Sequence, residues 1–86
     1  MSTQTVDQLS QRVIELAGEQ TDVPKEQISL NFQFVADLGF DSLDKVEFMM
    51  NIEDEYDISI PDDTADTITT IQQAVQEIQK VISQHH

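Results

Sequence analysis

Cysteine is missing from all 86 residues, so the chain has no disulfide framework and no thiol of its own. Basic residues are nearly as scarce. Four Lys and Arg stand against 17 Asp and Glu, a formal net charge of −13. A field of that sign repels nucleic acid and anionic membranes and attracts basic protein faces. No apolar run is long enough to cross a bilayer, and Met1-Ser2-Thr3-Gln4-Thr5 has neither the basic nor the apolar region of a secretory leader. A cytoplasmic protein without membrane insertion is expected. The only histidines are His85 and His86. Two imidazoles at a chain end, where order is commonly lost, predict no metal site. A chain of this length buries only about 60% of its unfolded surface, so one domain over residues 1–86, with a core about 3–82, and one site are expected.

What is present is helical periodicity. Hydrophobic content is only 38%, but Val6, Leu9, Val13, Leu16 and Ala17 recur at helical spacing, which separates the chain from an acidic disordered segment. The first helix is predicted from about Thr3 to Gly18, where the glycine ends it. From Thr21 to Asp41 the period lapses. That stretch reads as a long loop pinned to a core by Val23, Ile28, Leu30, Phe32, Phe34, Val35 and Leu38, and long ordered loops in small domains tend to be functional. A second helix is predicted from Ser42 to Tyr56. Pro61 breaks the following segment, and Asp62-Asp63 opens a short helix through Ala65 to about Ile68, acids being favoured in a first turn. Thr69 or Thr70 caps the last helix, whose stripe is Ile71, Ala74, Val75, Ile78, Val81 and Ile82. The fold class is all-α: four helices with a long first loop and a short third helix.

On a wheel of about 100° per residue, Phe48, Met49, Ile52 and Tyr56 of the second helix face the core. Leu43 and Met50 fall on roughly the opposite side, among Glu47 and Asp54 with Glu53 flanking. Two large apolar side chains between carboxylates form a docking surface whose charges steer and whose centre grips. The bland alternative is a solvated face with two incidental apolar residues.

This helix begins at Gly39-Phe40-Asp41-Ser42. Taken alone, Asp41 or Ser42 is simply an N-cap. The Ser42 hydroxyl also stands beside free helix N–H groups at the positive end of the dipole, a position that tolerates a phosphate, although Asp41 and Asp44 partly oppose that gain. An enzyme would need a base near the serine, and none is evident. The acids Asp54, Asp57, Asp62, Asp63 and Asp66 do not form an EF-hand loop, which requires alternating oxygen ligands, a central Gly and a closing Glu. Loose divalent binding to an acidic surface is a separate possibility. Such a serine looks modified rather than catalytic.

The run Asp37-Leu38-Gly39-Phe40-Asp41-Ser42-Leu43, followed by Val46-Glu47, resembles the attachment motif of the acyl carrier proteins. Phe34-Val35, Glu53-Asp54-Glu55-Tyr56, Ile60-Pro61-Asp62 and Ile68-Thr69-Thr70-Ile71 extend the likeness to the bacterial fatty-acid-synthesis type from about Leu9 to Ile78. The resemblance implies that Ser42, beside Asp41, receives phosphopantetheine from coenzyme A through a holo-carrier-protein synthase with a metal ion. The arm's thiol would carry acyl thioesters. It further implies a recognition face of Leu43, Glu47, Met50, Glu53 and Asp54 for acyltransferases, ketosynthases, reductases and dehydratases with basic docking faces. An acyl pocket of Val46, Ile60, Ala65, Ile68 and Ile71 is implied as well, in a protein expected to be monomeric. The chain departs from the family pattern at Lys45, usually uncharged, at Thr21, often apolar, at Phe40, often small, and at Phe48-Met49-Met50, usually smaller aliphatics. Lys45 falls on the inner side of its helix and must snorkel out at the pocket rim. Other readings are a carrier for polyketide, secondary-metabolite, D-alanyl or aminoacyl pathways, and a helical interaction module that carries nothing.

Overall fold

The computed structural model describes residues 5–84. The expected helix start at Thr3 and the pair His85-His86 lie outside the described residues. Among these there are four α-helices, α1 (Val6–Gln20), α2 (Ser42–Tyr56), α3 (Asp62–Thr67) and α4 (Ile71–Gln84), and one 3₁₀ turn, Lys25–Gln27. The architecture is all-α, with the long first connection and short third helix that the periodicity predicts.

Two reciprocal caps set the ends of α1 and α4. At the first, Gln8 N donates to Thr5 Oγ1 at 3.1 Å and Thr5 N donates to Gln8 Oε1 at 3.0 Å, a capping box. At the last, Gln73 N donates to Thr70 Oγ1 at 3.1 Å, while Thr69 N and Thr70 N donate to Gln73 Oε1 at 2.7 and 3.1 Å. Thr70 is therefore the capping threonine. Leu9, Val13, Leu16 and Ala17 of α1 pack into one core with Ile71, Ala74, Val75 and Ile78 of α4 and with Phe48, Met49 and Ile52 of α2.

Gly18 does not end α1, which runs on to Gln20. A Cβ at position 18 would stand 3.3 Å from Lys25 Cβ. The glycine thus permits close approach of the 3₁₀ turn instead of capping the helix. Gln20 Nε2 donates to the Asp44 carbonyl at 2.6 Å and Thr21 Oγ1 to the Leu38 carbonyl at 3.1 Å, so the end of α1 holds both the loop and the start of α2.

The long loop is ordered by backbone as well as by side chains. Ile71 N donates to the Phe32 carbonyl, Gln72 N to the Leu30 carbonyl and Phe34 N to the Thr69 carbonyl, at 3.0, 2.9 and 3.0 Å. The first amides of α4, which have no partner inside their helix, find one in the loop. Ile28, Phe34 and Leu38 are buried, and Val23, Leu30 and Phe32 pack partly buried against the same core. Val35 corrects the expectation, for it is 67% exposed. Residues 33–39 wind in a tight turn in which Asp37 N and Leu38 N donate to the Gln33 carbonyl and Gly39 N to that of Val35. In such a turn Phe34 and Leu38, four apart, share the inner face and Val35 is rotated off it.

Candidate functional site

The turn unwinds at Gly39, where φ is +74°. No atom lies within 4 Å of a Cβ built there, so the requirement for glycine is conformational and not steric. Phe40 follows and is buried. Its ring lies 5.6 Å from that of Phe34 and 5.9 Å from that of Phe48, and the latter two are 5.1 Å apart. Offset, tilted and edge-on pairs of this kind add to the burial of the rings themselves. The triangle fixes the chain one residue before the cap.

Asp41 then caps α2: Asp44 N donates to Asp41 Oδ1 at 2.8 Å and Asp41 N donates to Asp44 Oδ2 at 3.1 Å. With the cap assigned to Asp41, Ser42 is the first helical residue, and it is exposed. Among the described residues neither the Ser42 N–H nor the Leu43 N–H has a protein acceptor, as expected for the first positions of a helix. The arrangement offers an accessible hydroxyl beside free amide donors at a helix N-terminus. Those features fit a phosphodiester. No base or metal-binding group of this chain is needed to account for its geometry.

Below Ser42 a groove of about 790 Å³ opens between α2 and the Ile60–Asp66 segment, within the ~300–1,000 Å³ range of small-ligand clefts. Val46, Ile60 and Ala65 of the expected pocket line it. Ile68 and Ile71 do not. They are buried in the core, 3% and 0% exposed, because Ile68 follows α3 and Ile71 begins the inward stripe of α4. Four further apolar residues line the groove, Val35, Phe40, Met49 and Met50, none of them among the expected pocket residues. Burial on a wheel marked Met49 only as core, and Val35 only as a loop anchor.

On the outer side of α2, Leu43 is 65% and Met50 56% exposed, while Val46 is 54% exposed at the groove edge. Glu47 and Asp54 are exposed beside them. Glu53 differs. It is half-buried, lines the groove, and its Oε2 accepts the Ile60 N–H at 2.7 Å. Met50 also reaches the groove, so the apolar edge of the expected docking face and the mouth of the cavity are continuous.

Lys45 is half-buried and lines the groove together with Ser42. The basic residues are otherwise distant from this site or engaged: Arg12 forms a two-pronged contact with Glu55, Nε–Oε2 2.9 Å and Nη2–Oε1 3.0 Å, and reaches Glu15 at 3.1 Å, and Lys25 approaches Glu15 at 3.8 Å. The Arg12 hydrogen bonds hold the Glu55 carboxyl below the usual carboxylate range. Among the described residues no helix is long and apolar enough to cross a membrane.

Comparison with known proteins agrees with this geometry. The family described as "Phosphopantetheine attachment site" matches residues 11–78. A curated "Acyl carrier protein" of Cyanidioschyzon merolae is 47% identical over 85 residues, covering 95% of this chain and 93% of the relative.

Proposed function

The chain belongs to the acyl carrier protein family, carriers that hold a covalently attached phosphopantetheine, and from that premise we propose that Ser42 is the attachment residue. The observation that carries this reading is the exposed Ser42 hydroxyl at the first position of α2, with Asp41 taking the cap and Gly39 and Phe40 fixing the approach. The prosthetic group supplies the thiol that this cysteine-free chain lacks, and acyl groups travel on it as thioesters. The chain itself provides the hydroxyl, the free Ser42 and Leu43 amides that face a phosphate, and the groove below them. The transferase supplies the base and the metal.

The carrier serves enzymes of fatty-acid synthesis, acting as a single monomeric domain in the cytoplasm and catalysing nothing itself. Leu43, Glu47, Met50 and Asp54 meet basic faces on those enzymes, among them the holo-carrier-protein synthase. Val46, Ile60 and Ala65, with Val35, Phe40 and Met49, shelter the acyl chain. The apolar lining of the groove and its position under Ser42 support this assignment.

Intact mass after incubation with coenzyme A, magnesium and a phosphopantetheinyl transferase tests the reading. The mass rises by one phosphopantetheinyl group, fragmentation places it on Ser42, and Ser42→Ala abolishes it without loss of helix. A wild-type chain that stays unmodified beside an active transferase, or is labelled elsewhere, overturns it.

A further inference from the structure

We propose that Lys45 is a second contact point for the prosthetic group, its ammonium pairing with the phosphodiester on Ser42 and laying the arm across the groove mouth. The proposal rests on Ser42 being the attachment residue.

Register comes first. Lys45 stands three residues after Ser42 on α2, and residues three apart on a helix are neighbours, with Cβ atoms about 5–6 Å apart. Helical side chains lean toward the N-terminus, so a residue covers the turn before its own Cα. For Lys45 that turn is the one bearing Ser42. Both residues line the same groove, and Lys45 as a whole is half-buried, as expected of a side chain whose stem lies along apolar surface with its charged end free.

The distribution of charge gives the second reason. Asp41, Glu53, Asp62 and Asp66 line the groove with Lys45, yet among the described residues Lys45 makes no ion pair within 4.0 Å, whereas Arg12 and Lys25 do. Two of the acids nearest Ser42 are already committed, since Asp41 and Asp44 hold each other's backbone N–H groups. Glu53 likewise holds Ile60. A phosphodiester on Ser42 adds another negative charge beside Asp41 and Asp44, and Lys45 is the cation of this groove that can offset it. An ammonium to phosphate contact is a charge-assisted hydrogen bond, among the stronger kinds. Its position also selects a direction for the arm: toward the groove and away from the exposed Leu43 face.

The test compares the unmodified protein with the form loaded by coenzyme A, magnesium and transferase, after mass spectrometry has confirmed the increment on Ser42. With lysine side chains labelled with carbon-13, loading shifts the Lys45 ε-methylene resonance and leaves that of Lys80, exposed on α4, in place. The phosphorus-31 resonance of the loaded wild type differs at low salt from that of loaded Lys45→Met, coincides more closely with that of Lys45→Arg, and approaches the Met variant as salt screens the pair. An unmoved Lys45 resonance together with identical phosphorus signals in wild type and Lys45→Met overturns the contact while leaving Ser42 as the attachment residue. Failure of the mass increment overturns both. The carbon-13 measurement uses the unsubstituted chain, so it does not depend on the variants folding.

Discussion

Glu53 Oε2 accepts the backbone N–H of Ile60 at 2.7 Å, joining the body of α2 to the segment that enters α3. A residue that a wheel places on the flank of the recognition face is thereby a structural tie on the groove wall. On the proposed docking face, recognition and stability would be mixed at this position and separate at its neighbour Asp54, which is exposed.

Glu53→Ala is expected to lower stability by about 1–2 kcal/mol, because the Ile60 N–H loses a charged acceptor in a part-buried place. Asp54→Ala is expected to stay within about 0.5 kcal/mol. Urea unfolding of both variants checks this, and equal losses would remove the structural role of Glu53.

Opposite ends of the pH scale should report two neighbouring residues. Hydrogen bonds from Arg12 lower the Glu55 pKa in the folded state, so the stability this pair adds is present at neutral pH and is lost as pH falls through the depressed folded value. The contribution is small, since the pair is a third exposed on each side. Burial raises the Tyr56 pKa above its ordinary 10.0, so its contribution is present below about that pH and disappears as pH rises through the higher folded value. Among the described residues the buried Tyr56 hydroxyl has no hydrogen-bond partner. Tyr56→Phe should therefore keep or raise stability, by up to about 1 kcal/mol, and flatten the alkaline limb of a melting-temperature profile. A loss of stability at neutral pH would show that the hydroxyl is satisfied.

For docking, Glu47→Lys or Asp54→Lys should slow association with the holo-carrier-protein synthase by roughly tenfold or more at low salt, through the on-rate. Met50→Ala should speed dissociation with little salt dependence. Stopped-flow or surface kinetics at two ionic strengths separate the two, and a common salt response in all three variants contradicts the division.

An acyl chain in the groove is expected to raise melting temperature from the unacylated arm to a medium chain and then level off. Six buried methylenes set a ceiling near 5 kcal/mol at about 0.8 kcal/mol each, and the net is smaller because parting α2 from α3 and ordering the arm both cost free energy. Identical melting curves for the unacylated and medium-chain forms would place the chain in solvent.

The sequence makes some of these features legible and hides others for physical reasons. The bounds of α2 follow from a local signal, an acid cap before a helical period, and its two faces follow from the wheel; Leu43 and Met50 are exposed as that wheel requires. Gly18 and Val35 are misread because their roles depend on distant residues. Gly18 answers to Lys25 across a close approach, and Val35 answers to a turn that shares its inner face between Phe34 and Leu38. The Glu53 to Ile60 bond spans seven positions through a left-handed Asp57, φ 54°, and no periodicity announces it. Phe40 stands out only as a departure from a family pattern until the ring triangle explains it.

The six residues of α3 include none that is buried, while Ile60 before it and Ile68 after it are 6% and 3% exposed. Its two ends are secured unequally. Near Ile68, the Thr69 carbonyl is bound to the loop by Phe34 N–H and the chain runs straight into the capped start of α4. Near Ile60, the ties to α2 among the described residues converge on one residue, Glu53, whose carboxylate accepts the Ile60 N–H and whose carbonyl accepts the Ile58 N–H at 3.1 Å. A segment with so little burial of its own sits at the low end of local stability. On the proposed reading it should act as a door hung on Ile68 and latched at Glu53: swinging it would widen the space beside α2 while the packing of α1 on α4 stays shut, and acyl chains of different length would be admitted without melting the body that presents Ser42.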